Sequence, residues 1–283
     1  MAKGLSLHIG LNRVDPNHYQ DGNGNPWDGA LTACEADAHD MAALAKKRSM
    51  TLHGMLLSPA ATADTVRGAI LDAAKILRSG DLFFLTYSGH GGQVPDTNHD
   101  EKQVPYRQRD RMDETWVLYD RELIDDELYV LWAKFKAGVR IVVLSDSCHS
   151  GTVVRATPMP GASGGRPRRV RMMPPAAAAR TYAAHKRLYD GIQKLNPTAE
   201  KSKVRASVIL ISGCQDNQTS EDGDRNGLFT ANLRAVWKNG AFKGTYQALR
   251  DRIAAQMPDT QTPNYFVVGA RNPKFEAQTP FTI

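Results

Sequence analysis

Val139-Arg140-Ile141-Val142-Val143-Leu144-Ser145-Asp146-Ser147-Cys148-His149-Ser150-Gly151 is the stretch on which the fold turns. It begins as a short run of β-branched and aliphatic residues, the composition of a strand buried on both faces. It then breaks into small and polar residues, with a cysteine at the exit. Asp81-Leu82-Phe83-Phe84-Leu85-Thr86-Tyr87-Ser88-Gly89-His90-Gly91-Gly92 has the same build and exits on a glycine-flanked histidine. In a parallel sheet both strands deliver their last residues to the carboxyl edge, where ligands gather. A thiol and an imidazole far apart in sequence then share one crevice, as a nucleophile and its base require.

The remaining segments fit around those two strands. Leu5 to Leu11 reads as a first strand and residues 12–30, rich in Asn, Asp, Gly and Pro, as a loop. Ala33 to Ser49 is an Ala-rich helix with Ala38, Met41, Ala42 and Ala45 on one stripe. Leu52 to Leu57 is a strand, and Asp64 is the expected N-cap of a helix carrying Val66, Ile70, Ala73 and Leu77. Residues 93–114 read as a polar loop, Thr115 to Tyr119 as a short strand, and Ile124-Asp125-Asp126-Glu127-Leu128 as a helix start with acids in its first turn. Ala206 to Ser212 and Tyr265 to Val268 are further strands; helices are expected over Leu228 to Trp237 and along the stripe Tyr246, Leu249, Ile253, Met257. Such alternation predicts an α/β fold with a mostly parallel sheet covered on both faces. The reading is of one domain over 1–283, in which 1–152 holds the catalytic candidates, 153–205 is an insertion or linker, and 206–283 is a smaller closing part.

Composition narrows the function classes. The chain has 283 residues, 41% of them hydrophobic, and a formal net charge of +6. Twelve Lys/Arg against two Asp/Glu fall between Val153 and Arg205, so the rest of the chain is net negative. Nucleic-acid binding is the usual reading of a basic protein. Here the basicity sits in one Pro/Ala/Gly-rich segment without strand-borne aromatics, so no nucleic-acid partner is expected. Three cysteines, Cys34, Cys148 and Cys214, argue against a disulfide framework and for a reducing compartment. No run is apolar and long enough for a signal peptide or a membrane span, so a soluble cytoplasmic protein is expected.

A thiol becomes an effective nucleophile when an imidazole takes its proton, and acyl transfer needs donors for the developing oxyanion. Gly91, after the histidine, and the N–H of Cys148 itself are the natural donors. Two other readings of the cysteine stand beside this one: an inert buried residue, and a zinc site of Cys148, His149 and His90 that lacks a close-spaced fourth ligand. Asp21, Asn23 and Asn25 imitate the start of a calcium loop, but Pro26 and Thr32 stand where such a loop needs Gly and Glu, which makes a plain turn the better reading.

Tyr87-Ser88-Gly89-His90-Gly91 and Asp146-Ser147-Cys148-His149-Ser150-Gly151 together resemble the two signature motifs of metacaspases and their prokaryotic relatives, the orthocaspases. Leu31-Thr32-Ala33-Cys34-Glu35-Ala36-Asp37-Ala38, Ile124 to Leu128 and Ser212-Gly213-Cys214-Gln215-Asp216-Asn217-Gln218-Thr219-Ser220 extend the likeness over nearly the whole chain apart from the basic segment. The resemblance implies a caspase-hemoglobinase fold and a cysteine endopeptidase cleaving protein or peptide substrates after Arg or Lys. Cys148 would be the nucleophile and His90 the acid/base. The pocket for the cationic side chain would involve Asp146, Asp37, Cys34 and Ser88. Asp146 precedes the nucleophile by two residues, and a carboxylate pair in a partly water-excluded cleft suits a cation. The resemblance also implies activating calcium held by Asp110, Asp125 and Asp126, although Arg155 lies about where a further acid is expected. No organic cofactor is expected. The exposed basic segment, with Arg155, Arg166, Arg168, Arg169, Arg171, Arg180, Lys186 and Arg187, is expected to be a self-substrate that rests in the acidic cleft before it is cut. The alternative is a catalytically silent caspase-like scaffold that binds protein partners. A monomer without membrane contact is expected.

Overall fold

The computed structural model describes residues 2–99, 111–148, 169–199, 202–214 and 220–283. Its strands run β1 (Gly4–Gly10), β2 (Thr51–Leu57), β3 (Leu82–Ser88), β4 (Gly91–Pro95), β5 (Met112–Val117), β6 (Glu122–Ile124), β7 (Arg140–Asp146), β8 (Ser207–Ser212) and β9 (Asn264–Gly269). Six form one sheet in the order β2-β1-β3-β7-β8-β9, parallel throughout except for the antiparallel last pair. Both strands singled out by the sequence lie in its middle, and their register runs from Leu82↔Arg140 to Ser88↔Asp146. They therefore end at the same height.

Helices cover both faces: α1 (Cys34–Lys47), α2 (Ala63–Ile76), α3 (Asp125–Trp132), α4 (Pro175–Ala184), α5 (Lys186–Leu195), α6 (Leu228–Trp237), α7 (Tyr246–Ala254) and α8 (Pro273–Ala277). Alternate strand residues feed opposite cores. Phe83, Leu85, Ile141 and Val143 pack with Val66 and Ile70 of α2 and Leu131 of α3. Phe84, Val142, Leu144 and Ile209 pack with Met41 and Leu44 of α1, Leu233 of α6 and Leu249 of α7. Continuing the alternation puts Ser88 and Asp146 on the α1–α6 side, which is where the polar cluster described below forms.

Three expectations are corrected. The cap of α2 is Thr62, whose hydroxyl accepts the N–H of Thr65 at 3.2 Å; Asp64 sits inside the first turn, where the helix dipole favours an acid. The polar loop over 93–114 contains strands: β4 and β5 pair antiparallel from Gly91↔Trp116 to Pro95↔Met112, and β6 completes a second, three-stranded sheet. The two glycines and the proline of β4 and its polar pair Gln93↔Glu114 conceal that ladder in the sequence. Nor is the described part of the basic segment a solvated excursion. Arg171, Met173, Ala177, Thr181, Tyr189 and Gln193 are all buried. Among the described residues no helix is long and apolar enough to cross a membrane.

Phe84 is fully buried between His8 and Phe281, with ring centroids 5.5 and 4.9 Å away. Phe84→Ala is expected to cost about 3–5 kcal/mol in urea unfolding, by lost transfer energy plus a cavity. Leu195→Ser, at a side chain that is 83% exposed, is expected to stay within about 0.5 kcal/mol.

Candidate active site

Two residues beyond the matched strand ends stand His90 and Cys148. The backbone N–H groups of Gly91 and Cys148 converge on a single carbonyl oxygen, that of Arg171, at 3.1 and 3.0 Å. The backbones on either side of the imidazole and the thiol thus meet at one peptide group, the bond between Arg171 and Met172. The His90 ring donates from Nε2 to the carbonyl oxygen of Gly29 at 2.9 Å, which leaves the lone pair on Nδ1. Nδ1 is buried with no partner in hydrogen-bond geometry, and the Met172 backbone lies near the ring. Burial is the main cause that lowers the His90 pKa to about 4; the Gly29 carbonyl pulls it back, and the Arg171 charge adds to the lowering. The imidazole is therefore neutral near pH 7, the form able to accept a proton. The sulfur of Cys148 is buried, accepts the N–H of Ser220 and lies 3.7 Å from that residue's carbonyl oxygen.

The Arg171 side chain enters a pocket below this point and has no solvent exposure. Nη1 meets Asp146 Oδ2 at 2.8 Å and Ser88 Oγ at 2.8 Å. Nη2 meets Asp37 Oδ2 at 2.7 Å and Asp222 Oδ1 at 2.9 Å, and Nε reaches Asp222 Oδ1 at 3.3 Å. Desolvation works against the guanidinium charge, but the carboxylates of Asp146, Asp37 and Asp222 outweigh it and raise the pKa. Burial raises the Asp37 carboxyl against the pull of Arg171. Cys34, also buried here, is pushed up by desolvation and is a thiol.

Neutral donors hold the three carboxylates in place independently of the arginine. Asp146 accepts from Ser220 Oγ at 2.6 Å and from Thr230 Oγ1 in the first turn of α6 at 3.1 Å. Asp37 accepts from Asn226 Nδ2 at 2.9 Å and from Gly227 N at 3.2 Å. Asp222 accepts from the N–H and hydroxyl of Thr32 at 2.7 and 2.8 Å. Gly227 is required by space: a Cβ there would lie 2.5 Å from Arg171 Cζ.

The segment carrying Arg171 is extended. Arg171 N donates to Ser220 O at 2.8 Å, Asp222 N donates to Arg169 O at 2.8 Å, and Val170 bridges Glu221 antiparallel. On the other side of the bond, Met172 bridges Gly91 in parallel and Met173 N donates to Gly91 O at 2.8 Å.

Of the residues singled out by the sequence, Cys148, His90, Gly91, Asp146, Asp37, Cys34 and Ser88 gather at this edge of the sheet. Asp110, His149, Arg155, Arg166 and Arg168 lie outside the described residues. Asp125 opens α3, and Asp126 accepts from Asn98 Nδ2 at 2.7 Å. Among the described residues no three His, Cys, Asp or Glu gather to hold a metal ion; Asp110 and His149, members of the expected calcium set and of the zinc alternative, lie outside those residues. Asp21 accepts the N–H groups of Asn23 and Asn25 at 2.8 and 2.9 Å, which is a turn. Sequence reasoning missed Asp222, Thr230, Ser220 and the Gly29 carbonyl. Nothing distinguishes Asp222 from its neighbours Glu221 and Asp224 except the strand-like pairing that turns it inward.

A profile of the caspase domain, Peptidase_C14, matches residues 14–281. The chain belongs to the caspase-domain peptidase family. It is 31% identical over 227 residues to Metacaspase-1 of Candida albicans, 67% of this chain and 50% of that one. It is 32% identical over 181 residues to Metacaspase-1 of Kluyveromyces lactis, 55% of this chain and 40% of that one. This metacaspase relative therefore spans at most about half the length of those proteins. Protein GSU0716 from Geobacter sulfurreducens superposes with a TM-score of 0.85 at 51% identity, covering 99% of this chain and 98% of that chain. Caspase-1 of Spodoptera frugiperda superposes with a TM-score of 0.54 at 10% identity, covering 95% and 86%, and so shares the fold.

Burial also sets how stability depends on pH. It lowers His8 to about 3 and, with the His185 charge, His18 to about 4, as it does His90. Between those values and the ordinary histidine value of about 6.5 the unfolded chain binds more protons at these sites, so stability rises with pH there, by up to about 1.4 kcal/mol per unit for each group. Glu122, raised by burial to about 7, acts in the opposite sense between 4.5 and 7. Urea unfolding from pH 4 to 8 is expected to show stability rising to about pH 6.5, and Glu122→Gln is expected to make that rise steeper.

Proposed function

We propose that this chain is a cysteine endopeptidase that cleaves protein and peptide segments after arginine, with Cys148 as nucleophile and His90 as acid/base. The observation that carries the reading is the seating of Arg171: its side chain ends among three carboxylates while its carbonyl oxygen accepts two N–H groups, one of them from the nucleophile's own residue. That is the pose a substrate takes in acyl transfer. Cys148 thiolate attacks the carbonyl carbon as His90 Nδ1 holds the proton. The oxyanion forms between the N–H groups of Gly91 and Cys148. His90 then protonates the departing amine, and a water that it activates hydrolyses the thioester.

The pocket favours arginine over lysine. Its acceptors stand along two edges of a planar fork and meet Nη1, Nη2 and Nε at once; a lysine ammonium is a single point with three donors and cannot reach all three carboxylates. An aspartate would meet three like charges. The position of Arg171 in the basic segment supports autoprocessing there. Calcium activation remains an arm of the test, since the described acids gather no ligand set.

Fluorogenic peptides ending in Arg, Lys or Asp, assayed with and without calcium, test this reading. Arg peptides are expected to exceed Lys peptides by about tenfold or more in kcat/KM, with Asp peptides inert and Cys148→Ala inactive. Turnover of only the Asp peptide, or none by a protein whose Cys148→Ala variant behaves identically, would favour the silent-scaffold alternative or another chemistry. Asp222→Ala is expected to lower kcat/KM on Arg peptides by roughly 10²-fold, near the 3 kcal/mol that breaking a buried ion pair costs. Gly227→Ala, which fills the space of the guanidinium, is expected to do likewise while leaving iodoacetamide labelling of Cys148 intact.

A further inference from the structure

The bond between Arg171 and Met172 is held on both sides. On the acyl side are the pocket and the pairing with Ser220 and Asp222. On the amine side Met172 and Met173 pair with Gly91, and everything after them is docked to the body. Met173 and Ala177 are buried in the main core. Thr181 Oγ1 accepts the N–H of Gln20 at 3.1 Å. His185 stacks on His18 at 3.9 Å and bonds its carbonyl oxygen at 3.0 Å. The buried Tyr189 hydroxyl meets His18 Nε2 at 2.9 Å. Gln193, also buried, donates to Pro95 O at 2.9 Å and accepts the N–H of Thr97 at 2.6 Å. A leaving group anchored over more than twenty residues does not diffuse away when its bond breaks.

We propose that the Arg171–Met172 bond is a tethered substrate whose cleavage is held back by the anchorage of residues 172–196, so that lifting this anchor, rather than chemistry at Cys148, commits the enzyme to its cut and open form. The proposal rests on the peptidase reading above. Attack by the Cys148 thiolate forms a C–S bond to the Arg171 carbonyl carbon. The C–N bond breaks as the Met172 nitrogen takes a proton from His90, leaving a thioester and a free amine. With Met172 still paired to Gly91, the amine returns its proton to His90, attacks the thioester and expels the thiolate, which restores the peptide. Well-oriented groups react with effective molarities on the order of 10⁵ M or more, so the held amine outcompetes water. When α4 and α5 lift, water enters, hydrolysis leaves an Arg171 carboxylate, and the pocket can empty.

The test uses the full chain as wild type, Gln193→Ala, Tyr189→Ala, Arg171→Ala and Cys148→Ala. Over time, intact mass and N-terminal sequencing follow the cut, and an Arg peptide is assayed on the same samples. Slow appearance of a chain beginning at Met172 is expected in the wild type, at least tenfold faster in Gln193→Ala and Tyr189→Ala, and absent in Arg171→Ala and Cys148→Ala. Arg-peptide turnover is expected to rise in step with the cut, and to be present without a lag in uncut Arg171→Ala. Gln193→Ala removes one buried amide bonded to Pro95 and Thr97, a smaller change than loss of the Tyr189 ring, so it reports even if Tyr189→Ala unfolds. A complete, rapid cut in the wild type that neither anchor variant alters overturns the proposal. So does Arg-peptide turnover with no cut at Met172 in any variant. Absence of Arg-peptide turnover in every sample, Arg171→Ala included, overturns the peptidase reading itself.

Discussion

One guanidinium among three buried carboxylates is the interaction around which the functional edge of this protein is arranged. Taking ions out of water costs several kcal/mol each, and the attraction offsets that only where geometry is good and every remaining acceptor is satisfied. Here the geometry comes from the sheet. Ser88 and Asp146 are register partners at the ends of β3 and β7, so an acid and a hydroxyl arrive side by side facing α1. The first turn of α1 supplies Asp37, and the loop before α6 supplies Asp222 and the glycine that leaves room for the cation. The surplus negative charge is distributed over hydroxyl and backbone donors from Thr32, Ser220, Thr230 and Gly227. These donors hold the carboxylates in position by bonds that do not involve the arginine.

The same register places the chemistry. Because Ser88 and Asp146 end β3 and β7, the next residues of both strands turn over the pocket's mouth. Arg171, seated below, presents its carbonyl oxygen to the N–H groups of Gly91 and Cys148. The neutral His90 follows from this enclosure: the ring is desolvated and lies near the guanidinium, and its orientation is set by a carbonyl from the loop at Gly29. On the proposed reading, recognition and reaction are coupled through two strand ends.

Much of this was readable in the residues because both central strands are uninterrupted apolar runs that stop abruptly at small and polar side chains. Burial on both faces demands such a run, and the stop marks the edge. Asp146, two positions before the cysteine, could be assigned to the same end by strand periodicity alone. Asp222 could not, because its inward direction comes from antiparallel pairing with Arg169 and Val170, a contact across about fifty residues of sequence that no local pattern encodes. β4 was hidden because Gly91-Gly92-Gln93-Val94-Pro95 carries two glycines and a proline and no alternating pattern, and β5 was legible only from Thr115 onward. The basic segment looked like a solvated linker because its charges and prolines dominate its composition. The structure instead buries one arginine among many, together with Met173, Thr181 and Gln193, in positions set by tertiary contacts and not by helical periodicity.

The central claim, that Arg171 fills the site a substrate arginine would take, is tested most directly by the rate at which affinity labels alkylate Cys148, followed by peptide mass mapping. A peptidyl-arginine chloromethyl ketone is expected to label Arg171→Ala at least about tenfold faster than freshly prepared uncut wild type, a difference of about 1.4 kcal/mol in access, while the aspartate analogue labels neither. Equal rates in the two proteins, or equal labelling by both reagents, would contradict the account.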